Sequence, residues 1–249
     1  MSGEDTKTAY PGTRWSLVAR VAEPASRVGS GTRRRAFEEL SLAYWRPVYR
    51  TLRVAHRKTR EEAEDLVQAF FLGLFEKGTL ERFEADPAAG RFRSLLRSLL
   101  ETFVGTADRD ARRKKRGGDR RRVPLDPAQL DAVEARIGRE PGGDPFEREW
   151  RAAVLDAALA ELDRDATTPL WRRRYEVFLA HDVTPPSDAE RPSYADLATR
   201  LAVRAHDVKN DLVAARRRFS GLVLDRLRDE CRSEAEVQDE LRALFGGGA

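Results

Sequence analysis

From Ala63 the apolar residues Leu66, Val67, Phe70, Phe71, Leu74 and Phe75 follow at alternating steps of three and one, a pattern that repeats every four residues. In an α-helix that spacing gathers side chains onto one face, whereas in a strand it would scatter them over both. The same spacing recurs on either side. Phe37, Leu40, Tyr44, Val48 and Leu52 form one stripe, and Phe92, Leu95, Leu96, Leu99, Leu100, Phe103 and Val104 form another. Strand-like alternation is nearly absent, so the chain is expected to be all-α. Pro47 lies inside the first stripe and should kink or restart its helix. Thr59 is suited to cap the second helix, with Glu61 and Glu62 at the positive end of the helix dipole. That helix should stop near Lys77-Gly78, and a loop from Asp86-Pro87 to Gly90 should lead into the third.

These stripes predict a helical bundle over 33–116, preceded by an extension, 1–32, with a short helix at Thr13–Ala22 carrying Trp15, Leu17 and Val18. Composition then shifts. Gly117-Gly118, Pro124, Pro127, Pro141 and Gly142-Gly143 mark 117–145 as a flexible linker holding at most one short helix, Pro127–Gly138. A second helical domain is expected over 146–232. Its first helix, Phe146–Asp163, carries Trp150, Val154, Leu155, Ala158, Leu159 and Leu162, and its second, Pro169–Ala180, carries Trp171, Tyr175, Phe178 and Leu179. After the prolines 185, 186 and 192, Ser193 can cap a helix with Tyr194, Leu197 and Leu201 inward. A turn follows at 202–205, then a helix with Val208, Leu212, Ala215 and Phe219 on one face. Two short helices locked across such a turn describe a helix-turn-helix over 193–219. An amphipathic helix and glycine tail, 233–249, complete the reading.

Charge narrows the function. The 249 residues carry 46 Lys and Arg against 42 Asp and Glu, a net charge of +4. The distribution is uneven: Arg109 to Arg122 holds nine basic residues against Asp110 and Asp119. Such a run is either a solvated linker or an electrostatic footprint for a polyanion. Cys231 is the single cysteine, so neither an internal disulfide nor a cysteine zinc site can form. The polar start has no signal-peptide plan, and no apolar run approaches the roughly 18 residues of a membrane span. A soluble, cytoplasmic protein without membrane contact is expected. His56, His181 and His206 lie far apart, with no phosphate-binding glycine loop, dinucleotide fingerprint or metal-ligand spacing. No catalytic residue, metal or cofactor is therefore expected, and a helical nucleic-acid enzyme is the disfavoured third reading.

Three surfaces emerge from the residues. Arg204, His206, Lys209 and Asn210 begin the second helix of the helix-turn-helix, where base-edge contacts originate, and Arg216, Arg217 and Arg218 would reach phosphates. Asp207 and Asp211 oppose this, because phosphates repel carboxylates. Arg93, Arg97 and Thr102 fall on the expected outer face of the third bundle helix, leading into the basic run. On the second bundle helix, Asp65, Gln68 and Leu72 make a mixed polar and apolar stripe suited to a partner.

The stretch Ala36–Gly118, which contains AEDLVQAFF and GRFRSLL, resembles the second conserved region of extracytoplasmic-function sigma factors of the sigma-seventy family. Pro192–Leu227 resembles their fourth region, and TRWSLV (13–18) and EVQDELRALF (236–245) are similar to flanks found in one subgroup. The resemblance implies that Asp65, Leu66, Gln68 and Leu72 bind the clamp helices of the largest RNA polymerase subunit. It implies minus-ten promoter contacts by Arg91, Arg93, Arg97, Thr102, Arg109, Arg112, Arg113 and Lys114. There an unstacked base would be captured while cations hold the opened strand. Arg204, His206, Lys209, Asn210, Arg216 and Arg217 would read the minus-thirty-five element, with the fourth region seated on the polymerase flap. Control by an anti-sigma factor or a regulatory kinase is also implied. Ala69 stands where the family has an acid, Leu95 where it has Trp, and Asn210, Asp211 and Ala214 where it has small or basic residues. A sigma-derived adaptor with a drifted helix-turn-helix is the runner-up.

Overall fold

The structure, a computed structural model, describes residues 18, 20–22, 30–76, 80, 92–110, 123, 125–137, 143–185, 190–231 and 233–245. Every described element is helical, and no strand occurs among these residues. The helices are α1 (Ser30–Val54), α2 (Arg60–Glu76), α3 (Phe92–Asp110), α4 (Pro127–Arg136), α5 (Pro145–Asp165), α6 (Pro169–Phe178), α7 (Tyr194–Leu201), α8 (Ala205–Glu230) and α9 (Glu234–Phe245). A π-turn, Leu179–Val183, extends α6 beyond its expected end at Ala180, with Thr184 N–H closing on Leu179 C=O at 2.8 Å. No helix among the described residues is long and apolar enough to cross a membrane.

The chain divides into two compact units, Met1–Ala153 with Arg228–Ala249, and Val154–Leu227. In this division α4, the start of α5 and α9 all belong to the first unit.

In the first unit, α1, α2 and α3 bury the predicted stripes. Leu40, Tyr44, Val48, Leu52, Val67, Phe71, Leu96 and Leu100 have almost no exposed surface. Aromatic edges knit the helices, with Phe70 against Phe103 at 5.5 Å and Tyr44 against Phe92 at 5.3 Å between ring centres. Of the kink or restart expected at Pro47, the restart does not occur, since α1 is continuous through it. Proline inside a helix costs about 3 kcal/mol. The burial of Tyr44, Trp45, Val48 and Tyr49 around it offsets that cost, at about 1.5–3 kcal/mol for a large side chain. Beyond α1, Arg57 takes a left-handed φ of 51° and reverses the chain, and Lys58 N–H closes on Leu52 C=O at 3.0 Å. Thr59 then starts α2 with a reciprocal cap. Glu62 N–H donates to Thr59 Oγ1 at 3.2 Å, and Thr59 N–H donates to Glu62 Oε2 at 2.8 Å.

The described part of the expected flexible linker is docked on this bundle. Asp126 caps α4, whose Leu130 and Val133 are buried. Glu134 accepts two hydrogen bonds from Arg53, at 2.6 and 2.9 Å, and a third from the Tyr49 hydroxyl. The Arg53 hydrogen bonds hold the Glu134 carboxyl below its usual range against the opposing effect of burial. Burial first, then the bond to Glu134, push the Tyr49 hydroxyl well above its usual value. Glu149 on α5 has no exposed surface and receives Arg46, Arg50 and Arg136 at 2.9, 3.1 and 2.8 Å. One carboxylate thereby ties α1, α4 and α5 together.

Candidate nucleic-acid interface

In the second unit Ser193 caps α7 as its sequence predicts. Asp196 N–H donates to Ser193 Oγ at 3.1 Å, and Ser193 N–H donates back to Asp196 Oδ2 at 3.1 Å. The Ser193 hydrogen bonds hold the Asp196 carboxyl below its ordinary value. Ala202 ends α7 with a left-handed φ of 53°, a conformation that favours glycine. The strain is tolerated because the turn brings Leu197 and Ala198 against Val208, Leu212 and Val177 in one core, with Leu201 and Val203 packed beside them. Phe219 packs on Phe178, with ring centres 5.1 Å apart. Two helices therefore meet across the short turn at 202–204, as expected, and the second continues to Glu230, beyond the expected bound at 219.

Burying Val208, Leu212 and Ala215 turns the opposite face of α8 outward. That face carries His206, Lys209, Asn210, Val213 and Arg217, all exposed. His206 Nε2 lies 3.0 Å from Asn210 Nδ2, one turn apart. An open groove of about 520 Å3 beside this face is lined by Trp171, Asn210, Val213, Arg217 and Arg218. Arg174 stacks over the Trp171 ring at 4.7 Å. A polar stripe with lysine, asparagine and arginine beside an aromatic wall matches the donors and acceptors of groove edges and phosphates.

Three other predicted cations, Arg204 just before α8 and Arg216 and Arg218 within it, are paired with carboxylates. Arg204 pairs with Asp207 at 3.0 Å, and Arg218 with Asp165 at 2.9 Å. Arg216, expected to reach phosphates, instead grips Asp182 of the π-turn with two hydrogen bonds of 2.7 and 2.8 Å. Burial pushes the Asp182 carboxyl up, and the hydrogen bonds from Arg216 and His181 outweigh it, leaving that carboxyl below its ordinary value. Asp211 does not face outward as the opposing charge it was expected to be. It is buried and paired with Arg173 and Arg174 of α6 at 2.7 and 3.4 Å.

In the first unit the stripe on α2 is only partly open. Asp65 is exposed, while Leu66, Gln68 and Leu72 are half-buried. The Gln68 amide donates to Val123 C=O at 2.9 Å and accepts from Val123 N–H, as a neighbouring strand would. On α3, Thr102 is exposed and bonds back to Ser98 C=O at 3.1 Å. Arg97 is exposed and paired with Asp144 at 2.6 Å. Arg93 is not on the outer face. It is buried, its guanidinium lies 4.1 Å from the centre of the Trp150 ring, its Nε bonds Glu147 at 3.0 Å, and it pairs with Glu240. Arg109 lies in the last turn of α3. Arg91, Arg112, Arg113 and Lys114 lie outside the described residues, as do Trp15 and Leu17.

Sequence reading did not single out Glu147, Glu149, Glu240 or Val123. Two of them carried a signal: Glu149 sits between Phe146 and Trp150, and Glu240 lies three residues after Val237, each inside an apolar stripe. A carboxylate in such a position is either out of register or paired. Among the described residues no group of His, Cys, Asp and Glu is arranged to hold a metal ion. Comparison of the chain with protein-family models, with curated proteins and with solved structures gave no match.

Proposed function

We propose that the chain is a sigma factor that binds core RNA polymerase and directs promoter-specific transcription initiation. The observation that carries this reading is the capped helix-turn-helix whose second helix turns His206, Lys209, Asn210 and Arg217 outward. The resemblance of AEDLVQAFF and GRFRSLL to the second sigma region supplies the partner. In this reading the first unit is the polymerase- and minus-ten-binding region. Asp65, Leu66, Gln68 and Leu72 meet the clamp helices. Arg97, Thr102 and the basic run beyond Arg109 hold the opened strand, whose phosphates provide the attraction. The second unit reads the minus-thirty-five element in the major groove and sits on the flap. The chain performs no covalent chemistry, acts in the cytoplasm, and is regulated by an anti-sigma factor or a kinase.

Transcription in vitro tests this. Purified protein is added to sigma-free core polymerase with fragmented genomic DNA, and RNA starts are mapped. Discrete starts sharing upstream elements are expected, and absence of binding to core polymerase would overturn the reading.

A specific observation favours one alternative, an adaptor acting through protein partners. Arg204, Arg216 and Arg218 are paired to carboxylates, and Asp211 and Ala214 stand where the family has small or basic residues. Core binding without discrete starts, together with no retention of duplex promoter DNA, would select it.

A further inference from the structure

On the reading of the first unit as a binder of opened promoter DNA, we propose that α9 is an internal acidic cover for α3. Glu240 takes the place of a phosphate on Arg93, and nucleic acid must displace α9 to engage that arginine.

Arg93 is the second residue of α3, within GRFRSLL. It meets two carboxylates, Glu147 from α5 and Glu240 from α9, while its guanidinium is stacked on Trp150. One turn further along, Arg97 meets Asp144. Arg93 and Arg97, in the first two turns of α3, are thus occupied by carboxylates from segments that follow the bundle in sequence. Carboxylate and phosphate present the same paired oxygens to a guanidinium fork, so each competes for the geometry the other uses.

The composition of α9 suits a cover that leaves. It carries Glu234, Glu236, Asp239 and Glu240 against Arg242, a charge that a polyanion repels. Its two buried residues are Val237 and Glu240, with Leu241, Ala243 and Leu244 half-buried beside them, so one of the two deepest side chains is a charge. A carboxylate without exposed surface is stable there only while its cation stays, because desolvation opposes the pairing. By linkage, whatever α9 gains from Arg93 is subtracted from the affinity for nucleic acid.

The test uses the full chain and a short fluorescein-labelled single-stranded DNA. Glu240→Gln, which keeps shape and removes charge, should tighten binding about tenfold, within the usual range of intramolecular coupling. Adding Arg93→Gln should abolish the gain. In the unaltered chain, the amides of α9 should lose hydrogen-exchange protection when the oligonucleotide saturates it, a readout that needs no substitution. Unchanged affinity in Glu240→Gln, with α9 still protected under saturating oligonucleotide, would overturn the proposal. Capture of core polymerase is measured on the same preparations. Capture without any change at α9 removes the cover and leaves the sigma reading standing. The tenfold gain without capture upholds the cover and removes the polymerase from the reading.

Discussion

Arginines meet carboxylates in both units, but at different depths. In the first unit, Glu149 has no exposed surface, and the side chain of Arg50 paired with it is 5% exposed. In the second, Arg204, Arg216 and Arg218 are 84%, 45% and 41% exposed while paired. Water screens an exposed pair to roughly 0–1 kcal/mol, so its arginine exchanges readily onto a phosphate. Breaking a buried pair strands a charge and costs about 3–5 kcal/mol. The Glu149 cluster of the first unit is therefore a fastener, and the exposed pairs of Arg204, Arg216 and Arg218 are replaceable.

The sharpest way to break this comparison is Glu149→Ala, which leaves Arg46, Arg50 and Arg136 facing one another in the interior. Unfolding by denaturant should show a loss of about 3–5 kcal/mol. A loss under 1 kcal/mol would mean that the cluster is not the fastener described. Asp211→Ala removes a buried carboxylate of the second unit that is paired with Arg173 and Arg174. It should cost about 1.5–3 kcal/mol, as for hydrogen bonds to charged groups, while leaving the outward stripe of α8 in place. Ser193→Ala removes the cap of α7 and should cost about 1 kcal/mol, read from the thermal midpoint.

Two smaller effects sharpen the contrast within α8. Arg217→Ala should reduce the salt slope of nucleic-acid binding by about 1, the signature of one lost phosphate contact. Arg216→Ala should move that slope less if Asp182 retains Arg216 in the complex. Equal slopes for the two variants would mean that the Asp182 pair opens on binding. The Asp182 carboxyl is held below its ordinary value, so its stabilising contribution is full above the unfolded carboxylate pKa of about 4 and fades as pH falls further. Stability of Asp182→Asn against the unaltered chain should converge in acid and separate toward neutral pH.

Much of the local architecture was legible from spacing. The stripes of α1, α2 and α3 and the caps Thr59 and Ser193 depend on residues within one or two turns, and helical geometry translates those separations directly into faces. The packing of α7 on α8 was legible for the same reason, since Leu197, Leu201, Val208 and Leu212 face each other across a short turn. The outward positions of Lys209, Asn210 and Arg217 follow from that burial. The continuity of α1 through Pro47 was not legible, because surrounding tertiary burial outweighs a local propensity.

What the sequence by itself determined is the set of helices, their apolar faces and the cations available for an anion. Only the tertiary structure decided which cations remain available. Arg93, Arg97 and Arg216 read alike in sequence, yet one is buried under Glu240, one pairs with Asp144 and one grips Asp182. These partners lie from 34 to well over a hundred residues away, beyond any helical period. Helix periodicity reports the face a side chain occupies, and the pairing of charges on that face is settled by whichever segment packs against it.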